Sequence, residues 1–166
     1  EADGGYGFGH ASMGMLAGEL GRNLVASPLI GSAVAVAGAL APGGSSEQKA
    51  AWLPRLVSGE IHAALALEEG VRHDPAGVSF TARRDGDHWV LDGCKRPVFD
   101  AGGAALILVA ARTSGAPGDA EGVTLFLCPG DAAGLRLARL QQIDSRGASV
   151  AVFDKVMLDR SSVLGE

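Results

Sequence analysis

The stretch Phe80–Asp100, FTARRDGDHWVLDGCKRPVFD, decides what kind of fold this chain adopts. Asp85-Gly86 lies between two runs of alternating residues, and Asp-Gly is a strong hairpin signal because glycine adopts positive φ without steric cost. In a strand, Trp89 and Leu91 share one face. A second tight turn is predicted at Asp92-Gly93. The stretch therefore predicts short antiparallel strands joined by tight turns.

Short strands continue on both sides of this stretch. The runs with a period of two, bounded by Gly, Pro and Asp, are Ile61–Leu67, Val78–Arg84, His88–Asp92, Ala105–Ala111, Val123–Leu127, Leu135–Leu140 and Ala148–Leu158. So many short strands within about 100 residues indicate an all-β barrel or sandwich.

The residues before Ile61 follow a helical period instead. His10–Leu24 carries apolar residues at spacings of three and four, which predicts an amphipathic helix. Ser27-Pro28 is a good start for a second helix, which runs to about Leu40 and is apolar on nearly every side, so burial between neighbours is expected.

A third helix is predicted by a capping box formed by Ser45 and Gln48, and Pro54 is expected to end or kink it. Because the period changes from about 3.6 to 2 after Gly59, we predict a helical segment over residues 1–59 and a β domain over residues 60–166.

Composition and charge argue against several function classes. The 166 residues are 47% hydrophobic, enough for a sizeable core. A net charge of −5 with scattered Lys and Arg argues against a nucleic-acid partner. Cys94 and Cys128 lack metal-ligand spacing, so neither a metal site nor a disulfide is predicted. Free thiols, no visible signal peptide and no apolar run long enough for a membrane favour a cytoplasmic location.

The Gly-rich start, Glu1–Gly9, could be mistaken for a phosphate-binding loop. No apolar strand precedes it, and it satisfies neither GxGxxG nor GxxxxGK[ST]. A turn that leads into a helix is the simpler interpretation.

Five motifs carry a resemblance to a known family. They are Gly4-Gly5-Tyr6-Gly7, Gly44–Glu60, Arg83–Gly102, Gly122–Leu127 and Val152–Glu166. Each is weakly specific, but their common order over the whole chain is strong. On these residues the chain resembles the acyl-CoA dehydrogenases, whose middle-domain signature is similar to the run from Arg83.

The resemblance implies an α+β fold: a helical segment, which is the end of the N-terminal helical domain, followed by an all-β barrel-like middle domain of acyl-CoA dehydrogenase type. In the family a C-terminal helical bundle supplies the catalytic Glu. The resemblance therefore implies no catalytic residue, and no activity, for these 166 residues alone.

The activity implied by the resemblance is FAD-dependent α,β-desaturation of an acyl-CoA thioester. The implied partners are the acyl-CoA substrate, another acyl-CoA dehydrogenase subunit in a homo- or hetero-oligomer, and electron-transfer flavoprotein.

The flavin-facing positions implied by the resemblance are Leu65, Leu67, Glu68, His73, Pro97, Val98 and Phe99. Glu68 and Phe99 each stand in place of a Thr that contacts the flavin, and Pro97 replaces a Trp or Phe beside it. His73 falls, after a shortened stretch, where a Ser contacts the flavin or the thioester. Val98 and Glu69 fit the family pattern.

Three of these exchanges weaken the expected flavin site. Pro97 has neither a backbone donor nor a planar ring. Phe99 is bulky where a hydroxyl should bond the cofactor. Glu68 brings negative charge near a flavin that becomes anionic on reduction, where positive potential is needed. The resemblance therefore implies that flavin binds weakly, or is lost, at this subunit's own site.

Three functions stay open at this point. The full protein is a flavoenzyme that uses this domain as its flavin and thioester platform, or it is a scaffold subunit that shapes a partner's active site. In the second case it resembles the divergent subunits of heteromeric sterol-side-chain acyl-CoA dehydrogenases. The third is a β domain that binds a carrier or partner without redox chemistry.

Overall fold

The computed structural model describes residues 4–144 and 146–166. Glu1–Asp3, the first part of the Gly-rich start, and Ser145 lie outside the described residues. The helices are α1 (His10–Arg22), a π-helical segment (Ile30–Val36) that continues into α2 (Ala37–Gly43), and α3 (Ser46–Val57). The strands are β1 (Ala63–Ala66), β2 (Thr81–Asp85), β3 (His88–Phe99), β4 (Leu106–Arg112), β5 (Val123–Pro129), β6 (Leu135–Leu140) and β7 (Ala148–Asp159), followed by a 3-10 turn (Arg160–Ser162).

The seven strands form one curled, mixed sheet in the order β1-β4-β2-β3-β7-β6, with β5 paired to β4. β1 and β2 are parallel to β4, and the other pairs are antiparallel. The predicted α+β fold, helices first and then a barrel-like β domain, is confirmed. The boundary at residue 59 stays a prediction, although α3 ends at Val57 and β1 begins at Ala63.

The tight turn predicted at Asp92-Gly93 is wrong, because β3 continues through it as one strand of 12 residues. Gly93 pairs with Phe153 on β7, and the register shift there is absorbed on β7, where Lys155 has a φ of 51°. A Cβ at Gly93 would lie 3.1 Å from the Phe80 ring. The glycine therefore serves a close approach of β3 to Phe80 rather than a chain reversal.

The capping box is confirmed at the start of α3. The Ser45 hydroxyl accepts from the Gln48 amide, and the Gln48 side chain accepts from the Ser45 amide. Pro54 does not end the helix, because α3 continues to Val57. The last turn is still hydrogen-bonded to the helix, since the Ser58 amide donates to the Pro54 carbonyl at 3.0 Å. Proline removes one donor, but its own carbonyl still accepts from the following turn.

Burial of the helices is less complete than the sequence predicts. α1 buries none of its residues within this chain, and the second helix buries only Ser32, Val36 and Leu40. Val36 and Leu40 pack with Leu53 of α3 against the sheet, while a second core around Phe80, Phe126 and Phe153 fills the curled sheet. In the described part of the chain, no helix is both long and apolar enough to cross a bilayer.

The helical segment is also tied to the end of the chain by one buried side chain. The Gln48 amide group donates to the carbonyls of Ser161 at 2.8 Å and Val163 at 2.7 Å, and its oxygen accepts from the Gly165 amide at 3.1 Å. This single residue therefore caps α3 and fixes the segment that leaves β7.

Both cysteines are free thiols, as predicted. Cys94 is exposed on β3, whereas Cys128 is buried on β5. Burial, together with the negative charge of Asp131, raises the pKa of Cys128 to about 12. The Cys128 thiol is therefore unreactive at neutral pH.

Candidate functional site

The two segments that carry the predicted site residues lie side by side. The chain leaving β1 passes the end of β3, where the Arg96 amide donates to the Glu68 carbonyl at 2.7 Å. The Lys95 ammonium donates to the Leu67 carbonyl at 3.0 Å. These two bonds hold the segment after β1 against β3, so residues about 30 positions apart in the sequence share one site.

Behind this site lies a buried ion pair. Lys95 is 0% exposed, and its ammonium donates to the Glu69 carboxylate at 2.6 Å and lies 5.1 Å from the centre of the Phe80 ring. The same carboxylate accepts from the hydroxyl and amide of Ser79 and from the Phe80 amide. Glu69 therefore links the segment after β1, the start of β2 and β3.

The pKa shifts of the pair follow from its burial. Burial disfavours the ionised Glu69, but the hydrogen bonds from Lys95 and from the groups before β2 outweigh it and hold the pKa of Glu69 below its ordinary 4.5. Burial lowers the pKa of Lys95, and the pairing with Glu69 only partly offsets this. Each charge thus depends on the other for compensation.

In front of this pair a cleft of about 450 Å³ opens to solvent. It is lined by Glu68, Gly70, Val71, Arg72, His73, Arg96, Pro97, Phe99, Leu140 and Gln142. Four of the seven sequence-predicted residues line it, namely Glu68, His73, Pro97 and Phe99.

The other three predicted residues lie elsewhere. Val98 is fully buried in the core of the curled sheet, and Leu65 packs against the core between helices and sheet. Leu67 lines a neighbouring cavity beside Glu69. The flavin-contacting role of all seven stays a prediction.

The Glu68 carboxylate is paired with His73, which lines the same cleft. The Glu68 carboxylate and the His73 Nδ1 lie 2.6 Å apart, with the Glu68 side chain 22% exposed and the His73 side chain 70% exposed. The predicted negative charge of Glu68 does face the cleft, but it has a partner that balances it when protonated. His73 is thus placed against Glu68, a contact that the sequence did not indicate.

The phenyl ring of Phe99 is covered by an arginine that the sequence analysis missed. The Arg146 guanidinium lies 4.9 Å from the centre of the Phe99 ring, and its Nη2 donates to the Asp100 carboxylate at 3.1 Å. The Arg146 Nε is buried and has no hydrogen-bond partner among residues 4–144 and 146–166. No local signal could identify Arg146, because it lies 47 positions after Phe99.

The fit of this cleft to a flavin ring is only partial. Its volume lies within the usual range for small-molecule sites. Its polar groups match a flavin less well, since Glu68 presents a carboxylate, Pro97 has no N–H and Phe99 presents a ring already stacked by Arg146. The hydroxyls that the resemblance places against the flavin are thus missing at Glu68 and Phe99, and Pro97 lacks both the aromatic ring and a backbone donor.

The described residues contain no group of three or more His, Cys, Asp or Glu side chains arranged to hold a metal ion. The lining of the cleft carries one carboxylate, Glu68, and three cationic or titratable groups, Arg72, His73 and Arg96.

Comparison with known proteins identifies one family over most of the chain. A family model described as acyl-CoA dehydrogenase, middle domain, matches residues 63–156, and one described as acyl-CoA dehydrogenase, N-terminal domain, matches residues 1–60. The human mitochondrial short-chain specific acyl-CoA dehydrogenase is 37% identical over 127 residues, which cover 74% of this chain and 31% of that protein.

Two solved structures are similar in fold and sequence. A glutaryl-CoA dehydrogenase from Mycobacterium smegmatis in complex with FADH2 has a TM-score of 0.67 and 32% identity, over 75% of this chain and 32% of its own. The Tcur3481-Tcur3483 steroid ACAD, in a G363A variant, has a TM-score of 0.83 and 29% identity, over 99% of this chain and 43% of its own. The chain thus spans less than half the length of the relatives it matches.

Proposed function

The chain belongs to the acyl-CoA dehydrogenase family, and we propose that it forms the cofactor-facing wall of a protein that takes part in FAD-dependent α,β-desaturation of an acyl-CoA thioester. We further propose that it acts as one subunit of a heteromeric enzyme. When bound, FAD supplies the acceptor for the hydride that leaves Cβ of the substrate.

The observation that carries this proposal is the meeting of two segments at one cleft. The residues after β1 and the end of β3, which the resemblance identifies as flavin-facing, are held together by the buried pair of Lys95 and Glu69. A buried ion pair with several further hydrogen bonds positions a wall rigidly. Glu69 of this pair fits the pattern that the resemblance implies, even though Glu68, Pro97 and Phe99 do not.

The residues of this chain have defined tasks in the proposed complex. Pro97 and the chain around Glu68 form the wall on which a flat ring would lie, and Arg96 brings positive charge to the cleft. A protonated His73 balances the charge of Glu68. No group of this cleft is assigned as the base that removes the Cα proton.

Assembly with a second, different subunit is supported by the likeness to the Tcur3481-Tcur3483 steroid ACAD, which covers 99% of this chain. It is also supported by the departures at Glu68, Pro97 and Phe99, since a subunit whose own cleft is altered can be retained for what it contributes to a partner. Steroid degradation is accordingly the process in which we place the protein. A cytoplasmic location and electron-transfer flavoprotein as electron acceptor complete the proposal.

A second candidate function is a non-catalytic subunit that scaffolds a partner's active site and binds little flavin itself. One contact favours it: Arg146 stacks on Phe99 at the position where the resemblance places a flavin-bonding hydroxyl. A cationic side chain held there by Asp100 competes with a ring for the same surface.

The two candidates are separated by flavin content in the full-length protein co-purified with its partner subunit. We would measure flavin absorbance per subunit and desaturation of acyl-CoA substrates. Flavin associated with both subunits supports the first candidate, and flavin associated with the partner alone supports the second. A complex with no desaturase activity toward any acyl-CoA would contradict both.

A further inference from the structure

A second pocket lies at one end of the curled sheet, separate from the cleft lined by Glu68 and Phe99, which we call the flavin cleft after the role proposed for it. We call the second pocket the barrel-mouth pocket; its volume is about 440 Å³. It is lined by Pro28, His62, Asp100, Gly102, Leu137, Arg139, Gly147, Ala148 and Ser149. None of these residues lines the cleft in front of Lys95.

The pairing of the strands shows which face the pocket occupies. Ser149 of β7 lies directly opposite Arg139 of β6 and opposite Val98 of β3. Directly opposed residues point to the same face of a sheet, and Val98 lies in the core of the curled sheet. Arg139 and Ser149 therefore share the inward face of the sheet at its mouth, where Ser149 is buried and the Arg139 side chain stays exposed.

Ser149 brings a hydroxyl to the wall of this pocket. The residue is 5% exposed, and it is one of those that line the cavity. A hydroxyl is both a donor and an acceptor. At the wall of a cavity it can therefore donate to a bound carboxylate.

Arg139 supplies the uncompensated charge of the pocket. It forms no salt bridge with a carboxylate in the described part of the chain, whereas Arg136 on the same strand pairs with Asp154 at 3.3 Å. The one carboxylate that lines the pocket, Asp100, is already paired with Arg146 at 3.1 Å. The remaining positive charge is therefore that of Arg139.

His62 is held in a fixed orientation beside these groups. Its Nε2 lies 3.0 Å from the Asp100 carbonyl oxygen, which only accepts, so Nε2 carries the proton. The rest of the wall is apolar, from Pro28 before the π-helical segment and from Leu137 on β6. The pocket thus combines the Arg139 cation, the Ser149 hydroxyl and an apolar side.

We propose that the barrel-mouth pocket binds the carboxylate of a small organic acid. Arg139 pairs with the carboxylate, the Ser149 hydroxyl donates to it, and Pro28 and Leu137 contact the short apolar chain. A charge-assisted hydrogen bond from a guanidinium is the strongest available to a carboxylate in this setting. The site is distinct from the flavin cleft and does not depend on the proposed function.

The test is a ligand-observed NMR titration of the full-length protein with butyrate. We expect saturable binding in the millimolar range, since one ion pair and a four-carbon chain provide little more. Arg139→Gln should weaken binding at least about tenfold, and Ser149→Ala about fivefold. Arg136→Gln, on the same strand but facing away and changing the same charge, is the matched control and should leave binding unchanged.

Two further arms separate this site from its alternatives. Butyramide, which has the same shape without the charge, should bind at least about tenfold more weakly than butyrate. Glu68→Thr alters the flavin cleft and should leave butyrate binding unchanged. The butyrate result is therefore independent of whether the flavin proposal holds. Equal loss in Arg136→Gln and Arg139→Gln, equal binding of butyramide, or no saturable binding at all would overturn the proposal. Thermal unfolding of each variant shows that it is folded.

Discussion

Lys95 and Phe99 lie four positions apart on the same strand, yet their surroundings are opposite. Lys95 is fully buried and paired with Glu69, whereas Phe99 is 37% exposed and faces the cleft beneath Arg146. By the resemblance, Glu69 behind the cleft fits the family pattern, whereas Glu68, Pro97 and Phe99 in front depart from it. The comparison teaches that a cleft can keep its support while the groups that would hold a cofactor change.

The largest expected effect comes from removing the carboxylate behind the cleft. Glu69→Ala leaves the Lys95 ammonium buried without its partner, which should lower the free energy of unfolding by about 3 kcal/mol. Chemical denaturation measures it. Glu68→Ala, one residue earlier and in contact with the exposed His73, should cost less than about 1 kcal/mol. Equal losses of unfolding free energy in both variants would show that the support behind the cleft and its front surface do not differ as described.

The next effect concerns flavin binding at the front of the cleft. Glu68→Thr, Pro97→Trp and Phe99→Thr together restore a hydroxyl, a stacking surface and a second hydrogen-bonding group. Flavin affinity of the full-length protein should rise about 100-fold, because stacking and a hydrogen bond each contribute on the order of 1 kcal/mol. Quenching of flavin fluorescence measures it. Val71→Thr, a 97% exposed apolar residue at the same rim, is the control.

Tight, stoichiometric flavin in the unaltered protein would contradict this prediction. It would mean that Glu68, Pro97 and Phe99 contact the cofactor productively despite their chemistry.

Lowering the pH is expected to have a smaller effect on the free energy of unfolding. The pKa of Glu69 is lower in the folded protein than its ordinary 4.5, so between these values the unfolded chain binds more protons and stability falls as pH falls. The contribution of Glu69 is complete above pH 4.5 and is lost as pH drops through the folded-state pKa. The loss should be smaller than in Glu69→Ala, since a protonated carboxyl still forms hydrogen bonds.

Thermal unfolding between pH 6 and pH 3 measures this effect, with Glu69→Gln as the comparison. The variant should show a shallower dependence on pH below about 4.5. An unchanged slope would mean that other carboxylates dominate acid unfolding.

The smallest effect is expected from Arg146→Gln. The change removes the contact with the Phe99 ring and the pair with Asp100, both partly exposed, so the loss of stability should be at most about 1 kcal/mol. If Arg146 competes with a ring for the face of Phe99, flavin affinity should rise slightly in the same variant. A fall in flavin affinity would instead identify Arg146 as a group that helps to bind flavin.

Much of the fold could be predicted from local patterns. β6 begins and ends where the alternation places it, at Leu135 and Leu140, and the capping box of Ser45 and Gln48 starts α3 as expected. These features depend on residues close in sequence, so neighbouring positions suffice to specify them. The turn predicted at Asp92-Gly93 failed because its signal, a glycine after an aspartate, is equally compatible with a strand that passes close to another ring.

The site could be predicted only in part. The resemblance identified Glu68, His73, Pro97 and Phe99, which the structure brings to one cleft. It gave no indication of Arg146, and it did not show that Lys95 and Glu69 form the support between segments. Such contacts join residues from 26 to 47 positions apart, and no periodicity records them.

The sequence by itself determined the order of helices and strands, the family and most strand boundaries, because alternation and capping are local. Only the tertiary structure decided which residues face the cleft. On β7, Ala151 and Ser149 are two positions apart, but their partners on β3, Lys95 and Val98, are three apart, so β3 carries one extra residue there. This bulge turns Val98 into the core and Phe99 out to the cleft, whereas strict alternation from Lys95 would bury Phe99.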